Sequence, residues 1–200
     1  MTDHDLWDGI RTERLLLRRW READRQSYAA INADPDVMTY LGGPQSAERS
    51  DAHIARIEAH WDAHGWGLWA VEVPDVASCI GFVGLWPAAS SLGWEAVEVG
   101  WRLARAQWGR GYATEAARRA LAFGFDDVGL DEIVSFTVPA NRRSRAVMER
   151  IGMQHDPADD FDHPRVDPAT HPELVRHVLY RLDRATWQAT QTVQPSSRDS

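Results

Sequence analysis

The feature that most constrains this chain is a short glycine loop that leads from a predicted strand into a predicted helix. The loop lies in the stretch QWGRGYATEAARRALAFGF, in which Gly109 and Gly111 are its glycines. Residues without a β-carbon let backbone N–H groups approach an anion closely, and the start of a helix adds a favourable dipole. The loop therefore predicts either a cradle for a pyrophosphate or a tight turn before an ordinary helix, and by itself leaves both open.

Strand and helix patterns surround this loop without internal repeats or a second domain boundary. Predicted strands cover residues 14–20, 66–73, 79–86, 97–103, 132–138 and 177–182, and predicted helices cover residues 24–32, 46–64, 112–125 and 141–150. Asp24 is a candidate N-cap of the first helix, and Pro35 prevents its continuation. The order predicts one mixed α/β (α+β) domain at residues 11–184, with flexible ends at residues 1–10 and 185–200.

Composition excludes several classes of enzyme and partner. The 200 residues include 22 basic and 30 acidic side chains, a net charge of −8, and every basic one is arginine. Without lysine there is no Schiff-base or pyridoxal-phosphate chemistry and no P-loop lysine. The acidic balance argues against a nucleic-acid partner, and no apolar run approaches the ~20 residues of a membrane span. Because the first ten residues are also unlike a signal peptide, we expect a cytoplasmic protein with no membrane partner.

The cysteine and histidine residues predict no metal site. The single cysteine, Cys79, excludes an internal disulfide and a multi-cysteine zinc site, and its apolar surroundings predict an inert buried thiol. His60 and His64 have the spacing of a zinc-binding pair. Trp61, however, stands where the zinc motif HExxH requires glutamate, so we expect these histidines on a solvated helix surface.

A dinucleotide-binding fold is the nearest alternative for the loop, because GRGYAT is similar to GxGxxG. Asp131 lies 20 residues after Gly111, near the usual distance of a ribose-binding acid. Thr114, however, replaces the third glycine, and Asp131 would begin the next strand rather than end it. Residues 104–108 also separate the preceding strand from the first glycine. These departures disfavour a dinucleotide fold.

Two segments taken together, EVGWRLARAQWGRGYATEA and NRRSRAVMERIGM, resemble the acetyl-CoA-binding core of the GNAT N-acetyltransferases. The similarity spans residues 12–184 and is greatest to the RimJ/RimL-like branch, the ribosomal-protein N-terminal acetyltransferases. It implies one domain whose central, mostly antiparallel, twisted sheet is splayed at its middle and flanked by about four helices. It also implies acetyl-CoA as co-substrate, no metal and a primary amine as acceptor, and leaves a homodimer open.

The resemblance implies a cofactor site residue by residue. The backbone at Val99, Gly100 and Trp101 would hold the acetyl carbonyl and the pantetheine. Asn141 would contact the pantetheine arm, with Ser144 near the thioester sulfur. Backbone N–H groups would bind the pyrophosphate from Gly109, Arg110, Gly111, Tyr112, Ala113 and Thr114.

The resemblance leaves the acid that protonates the departing thiolate unassigned. The tyrosine usual seven residues after the asparagine is Met148 here. Ser144 is the nearest hydroxyl and becomes the candidate acid, with Tyr112 and Tyr180 next. Basic side chains could also reach the 3′-phosphate of CoA or face solvent: Arg142, Arg143 and Arg145.

Glu98 is the candidate base. Strand alternation places it with Gly100 and Arg102 on one face, where a carboxylate in a covered strand is costly unless it is paired or used. Glu98 could relay a proton from the amine through water, or form an ion pair with Arg102. Glu95 is the second choice.

The segment of residues 154–173 contains six carboxylates and borders the acceptor site in the family. It is either a solvated loop or an acidic rim, and a rim built on Asp159, Asp160 and Asp162 would favour a cationic amine. The activity expected is direct acetyl transfer. The alternatives are a transferase for a bulkier acyl group such as succinyl and a catalytically silent acyl-CoA-binding module.

Overall fold

The strands form one sheet that is antiparallel except at its middle. The computed structural model describes residues 9–192. Within that range the strands are β1 (Gly9–Arg11), β2 (Leu16–Arg18), β3 (Leu68–Glu72), β4 (Gly81–Pro87), β5 (Val97–Leu103), β6 (Glu132–Thr137), β7 (Gln154–His155), β8 (Phe161–Asp162) and β9 (Arg176–Asp183). Their order in the sheet is β1-β2-β3-β4-β5-β6-β9-β7, and β8 pairs with β9.

The parallel neighbours β5 and β6 are joined at one register pair, Glu98 with Val134. In contrast, β5 pairs with β4 along its whole length, and β6 pairs with β9 along its whole length. The sheet therefore splits beyond Glu98, so that the second half of β5 and the second half of β6 diverge. This confirms the predicted mixed fold with a mostly antiparallel sheet splayed at its middle.

Seven α-helices flank the sheet within the described range. They are α1 (Asp24–Ala33), α2 (Pro35–Met38), α3 (Ala47–His64), α4 (Ala89–Leu92), α5 (Tyr112–Ala122), α6 (Arg142–Arg150) and α7 (Arg184–Thr192). Capping explains the sharp ends of α3, since Ser46 Oγ accepts from Arg49 N and Gly65 ends the helix with a φ of +73°. No helix in this part of the chain is long and apolar enough to cross a membrane.

Helices cover both faces of the central strands. On the face of β4 that carries Phe82, α1 packs through Tyr28, whose ring lies 6.2 Å from that of Phe82. On the opposite face a π-helical turn, Phe123–Val128, continues α5 and packs against Leu85 and Ile133. A β-carbon on Gly124 in this turn would lie 2.6 Å from Ile133 Cδ1, so a larger residue here would require the Ile133 side chain to move.

Asp24 differs from its predicted role as an N-cap. The N-cap of α1 is Ala23, and Asp24 is fully buried. Its carboxylate accepts two hydrogen bonds from the Arg18 guanidinium, at 2.7 and 2.9 Å, and one from Arg21 N at 2.7 Å. A buried bidentate ion pair with a neighbouring strand has taken the place of the local cap.

The structure also differs from the predicted flexible ends. Gly9 and Ile10 belong to β1, and α7 occupies residues 184–192. The ring of Trp187 in α7 is buried and stacks on the ring of Phe125, with 5.7 Å between the ring centroids. This packing stabilises the helix although most of its residues are polar. The remaining parts of the predicted flexible ends, residues 1–8 and 193–200, lie outside the described residues.

Candidate active site

A cleft with a volume of about 1220 Å³ opens where β5 and β6 separate. Its walls come from β5, the loop and helix start that follow it, β6 and α6. Side chains at the end of α2 and just beyond it border the same cleft: Val37, Thr39, Tyr40 and Leu41. Most of the predicted site residues line it, namely Glu98, Gly100, Trp101, Gly109, Gly111, Tyr112, Ala113, Thr114, Asn141 and Ser144. The fold thus brings together two segments that lie about thirty residues apart in the chain.

Two predicted site residues, Val99 and Arg110, are not part of the cleft lining. Val99 is buried, and its carbonyl oxygen accepts a 2.9 Å hydrogen bond from Ser135 Oγ, which ties β5 to β6 where they begin to diverge. The carbonyl oxygen of Arg110 accepts a 3.0 Å hydrogen bond from Arg14 Nη1. Each of these two carbonyl oxygens therefore already accepts a hydrogen bond from a side chain of the protein.

The glycine loop presents a row of backbone N–H groups without a protein partner. Gly109 and Gly111 adopt φ angles of +75° and +82°, which favour glycine. No described residue accepts a hydrogen bond from the N–H groups of residues 109–114, and α5 makes its first bond from Glu115 N to the Gly111 carbonyl. Helix starts leave about four such groups unpaired, and the loop extends the row to six. These donors, at the positive end of the helix dipole, fit an anion.

The cleft wall is positively charged although the whole chain carries −8. Seven arginines and four carboxylates line it: Arg14, Arg102, Arg105, Arg118, Arg142, Arg143 and Arg150 against Glu13, Asp36, Glu98 and Glu115. Guanidinium groups suit phosphates in both charge and geometry. The cleft therefore fits a ligand with several phosphate groups.

Trp108 connects the two walls of the cleft. The Arg105 guanidinium lies 4.9 Å from the Trp108 ring centroid, and the Arg143 guanidinium reaches it from α6 at 4.8 Å. The indole N–H donates to the Leu103 carbonyl oxygen at 2.8 Å, which fixes the ring. Such contacts are favourable because a cation interacts with the electron-rich ring face. Arg143 is thereby held at the cleft.

Arg145 and Tyr180 do not line the cleft. Arg145 Nε donates to the Tyr180 hydroxyl at 3.3 Å, and that hydroxyl donates to Glu149 Oε1 at 3.1 Å. The Tyr180 ring is buried and stacks on His155. The structure thus removes Arg145 from the predicted phosphate contacts and Tyr180 from the candidate acids, because both are engaged on the far side of α6.

Asn141 and Ser144 form a local network at the start of α6. Asn141 caps the helix by accepting from Ser144 N at 3.3 Å, and its amide donates to Thr137 Oγ1 at 2.9 Å and to Ser144 Oγ at 3.2 Å. The Ser144 hydroxyl therefore accepts one hydrogen bond and donates none within the described part of the chain. Its proton is free for a ligand in the cleft.

Tyr40 is a cleft residue that the sequence reasoning missed. Its hydroxyl donates to the Ala140 carbonyl oxygen at 3.3 Å and so connects the segment after α2 with the start of α6. The two residues are 100 positions apart, and no local pattern marks Tyr40. With Tyr112, it is one of two tyrosines that line the cleft.

Glu98 is half-buried in the cleft wall without an ion pair or hydrogen bond among residues 9–192. The expected alternative partner, Arg102, instead donates to Asn32 Oδ1 at 2.7 Å. Removal from bulk water raises the pKa of Glu98 to about 8, and the positive charge of Arg165 offsets part of this effect. A carboxyl group with this pKa is mostly protonated at neutral pH and becomes a proton acceptor as the pH rises to about 8.

The acidic segment does not supply the predicted rim. Asp159 pairs with Arg181 at 2.6 Å, Asp160 with His155 at 2.7 Å and Asp162 with Arg176 at 3.2 Å. None of the three carboxylates lines the cleft. They hold β9 and its neighbours together and do not face this cleft, and a cationic acceptor stays a prediction.

Cys79 and the two helix histidines lie outside the cleft. Cys79 is buried, as predicted, and burial raises the pKa of its thiol to about 11, which disfavours the reactive thiolate. The rings of His60 and His64 lie 4.3 Å apart, and His60 also packs on Trp86, so it is not the solvated residue that was expected. Among residues 9–192, no group of three or more potential metal-binding side chains occurs.

The chain is similar to known proteins in sequence and in fold. A family model described as an acetyltransferase (GNAT) domain matches residues 14–154. The chain is 30% identical over 145 residues to the uncharacterized protein YkkB of Bacillus subtilis (strain 168), and the match covers 72% of this chain and 84% of that protein.

Solved structures agree with the family match. The crystal structure of an acetyltransferase from Agrobacterium tumefaciens str. C58 is 33% identical, with a TM-score of 0.71 over 87% of this chain and 93% of that chain. A spermidine N-acetyltransferase from Vibrio cholerae, solved in complex with CoA and spermine, has a TM-score of 0.67 over 88% of this chain and 99% of that chain. Because the two sequences are only 16% identical, this likeness shows a shared fold and nothing more.

Proposed function

Because this chain belongs to the GNAT acetyltransferase family and is an acyltransferase, we propose that it moves an acetyl group from acetyl-CoA directly to a primary amine. The observation that carries the proposal is the row of six unpaired N–H groups beside an arginine-rich cleft wall. A pyrophosphate and a 3′-phosphate would satisfy both features. The narrower assignment to the RimJ/RimL-like branch, with a protein N-terminus as acceptor, remains a prediction.

The proposed cofactor contacts follow the cleft from the loop to the splay of the sheet. N–H groups of residues 109–114 would bind the pyrophosphate, and Arg142 or Arg143 would bind the 3′-phosphate. Asn141 would contact the pantetheine arm. Gly100, beside which a β-carbon would meet only the Glu98 carboxyl, leaves room at the backbone where β5 and β6 diverge. Acetyl-CoA supplies the activated acetyl group.

Two side chains would handle the protons. Glu98, with its raised pKa, accepts the proton that the amine loses as its nitrogen bonds to the acetyl carbon. Ser144 donates its free hydroxyl proton as a hydrogen bond to the sulfur as the carbon–sulfur bond breaks. The hydrogen bond from Asn141 orients that hydroxyl. The products are an amide and the CoA thiol: the thiolate takes up one proton from water, and Glu98 releases to water the one proton that it took from the amine.

A thiol-release assay with a panel of amines tests the proposal. We expect acetyl-CoA to bind in calorimetry and at least one class of amine to release CoA thiol. Binding without thiol release from any amine would favour the silent acyl-CoA-binding module instead. Faster thiol release from succinyl-CoA than from acetyl-CoA would favour a transferase for the bulkier acyl group. If acetyl-CoA does not bind at all, both the proposed acetyltransferase and the silent acyl-CoA-binding module are contradicted.

A further inference from the structure

Arg14, in the turn before β2, contacts both the glycine loop and the helix that follows it. Its backbone N–H donates to Glu115 Oε1 at 2.8 Å, and its guanidinium donates to Glu115 Oε2 from Nε at 2.7 Å. Nη1 donates to the Arg110 carbonyl oxygen at 3.0 Å. The guanidinium also lies 5.0 Å from the Tyr112 ring centroid. One side chain thus joins the loop and the first turn of α5 to a segment about a hundred residues earlier.

The bond to the Arg110 carbonyl fixes the direction of the next N–H group. In a trans peptide unit the carbonyl and the following N–H point in opposite directions. Holding the Arg110 carbonyl therefore orients the N–H of Gly111, which belongs to the unpaired row. The fit is close, because a β-carbon on Gly111 would lie 3.3 Å from Arg14 Nη2.

The negative charge of Glu115 would disfavour phosphate binding at the loop, and the positive charge of Arg14 offsets this effect. A carboxylate in the first turn of α5 stands near the position proposed for the phosphates and would repel them. Its pKa is lowered, with hydrogen bonds from Thr12 and Arg14 outweighing the opposite effect of burial, so the group is ionised. Arg14 Nη2 lies 2.6 Å from its oxygen Oε2. The ion pair keeps the carboxylate in place while largely neutralising it.

We propose that Arg14 is a positioning residue for acetyl-CoA, and that with Glu115 it clamps the glycine loop in the conformation that presents its N–H groups. The inference rests on the proposed function. The clamp acts before the cofactor arrives, since it reduces the conformational freedom that binding would otherwise remove. This role differs from a direct charge contact with phosphate, and the two can be separated by replacing Glu115.

The experiment measures acetyl-CoA affinity by calorimetry for Arg14→Lys, Arg14→Gln and Glu115→Ala. A clamp requires both partners, so we expect each variant to weaken binding on the order of tenfold. Glu115→Ala is decisive, because removal of a negative charge near phosphates would by electrostatics alone strengthen binding. Arg14→Lys keeps the charge but loses the fork that reaches Glu115 and Arg110 together. In the free protein, faster amide exchange over residues 116–118 would accompany the loss.

Arg25→Ala is the matched control, since Arg25 is a partly exposed arginine paired with Glu22 and Asp51 outside the cleft. We expect Arg25→Ala and the variants of Arg14 and Glu115 all to leave the melting temperature nearly unchanged. Unlike those variants, Arg25→Ala should also leave the affinity for acetyl-CoA unchanged. Unchanged or stronger binding by Glu115→Ala would overturn the clamp. Wild-type protein that binds no acetyl-CoA would instead overturn the proposed function, which separates the two failures.

Discussion

Oε1 of Glu98 lies 3.6 Å from the place that a β-carbon of Gly100 would occupy, two residues further along the same strand. The carboxyl group therefore extends along β5 toward the point where the sheet splits, into space that any other residue at position 100 would narrow. Among the described residues that line the cleft, Glu98 is the one carboxyl group with a strongly raised pKa. Its closeness to Gly100 places it beside the proposed position of the acetyl group.

The pH dependence of the reaction is expected to follow Glu98. Its pKa of about 8 means that the group is protonated, and unable to accept a proton, through the neutral range. We expect kcat/KM to rise with pH up to about 8 and then to level off, and Glu98→Gln to lower kcat by 10²–10⁴-fold and remove that rise. Steady-state kinetics between pH 6 and 9.5 measure this. Glu95→Gln, an exposed neighbour outside the cleft, serves as control, and a rise that persists in Glu98→Gln would contradict the role.

Ser144 is expected to act on the departing sulfur. Replacing it with alanine removes a donor whose effect grows as negative charge develops, so kcat should fall on the order of 10²-fold with acetyl-CoA affinity nearly unchanged. Ser144→Thr keeps the hydroxyl and should retain most of the rate. If the alanine variant keeps the wild-type kcat, the acid lies elsewhere, and Tyr40→Phe and Tyr112→Phe test the two tyrosines of the cleft.

Gly111→Val is expected to weaken acetyl-CoA binding without unfolding the domain. Valine is strained at a φ of +82° and would also press on Arg14. Gly93→Val imposes similar backbone strain at a φ of +78° in open surroundings outside the cleft, so it isolates the effect of the loop. Calorimetry should show a larger dissociation constant for the first variant alone. Equal affinity in both would remove the loop from the proposed site.

Arg18→Ala is expected to destabilise the fold by about 3–5 kcal/mol, because it leaves the fully buried Asp24 without its cation. Arg18 also pairs with Glu72 at 2.7 Å, and its guanidinium is itself buried. Urea unfolding followed by fluorescence measures the difference. Arg25→Ala, which breaks exposed pairs, should cost at most about 1 kcal/mol. A similar small loss for both variants would show that the buried pair is dispensable.

The sequence predicted most of the regular structure, because periodicity and capping are local. Strand β5 occupies the predicted range of residues 97–103, and helix α3 (Ala47–His64) lies within the predicted range of residues 46–64. Asp24 shows the limit of such reasoning. Its position favours a cap, but a cap gains one or two hydrogen bonds, whereas the buried guanidinium of Arg18 offers a bidentate ion pair that no local pattern reveals.

By itself the sequence determined the glycine loop before α5, a helix beginning near Asn141 and the absence of lysine chemistry, since each depends on residue types and short spacings. Only the tertiary structure decided which charges meet. It drew Asp159, Asp160 and Asp162 into ion pairs away from the cleft, and it gave Glu98 no partner where Arg102 was the expected one. It also brought Arg14 to the loop and Tyr40 to Ala140. Such long-range contacts depend on the order of the strands in the sheet, which residue spacing does not reveal. The electrostatic free energy of a charged group depends on its distance from other charges and on its exposure to water, and both are set by the tertiary structure.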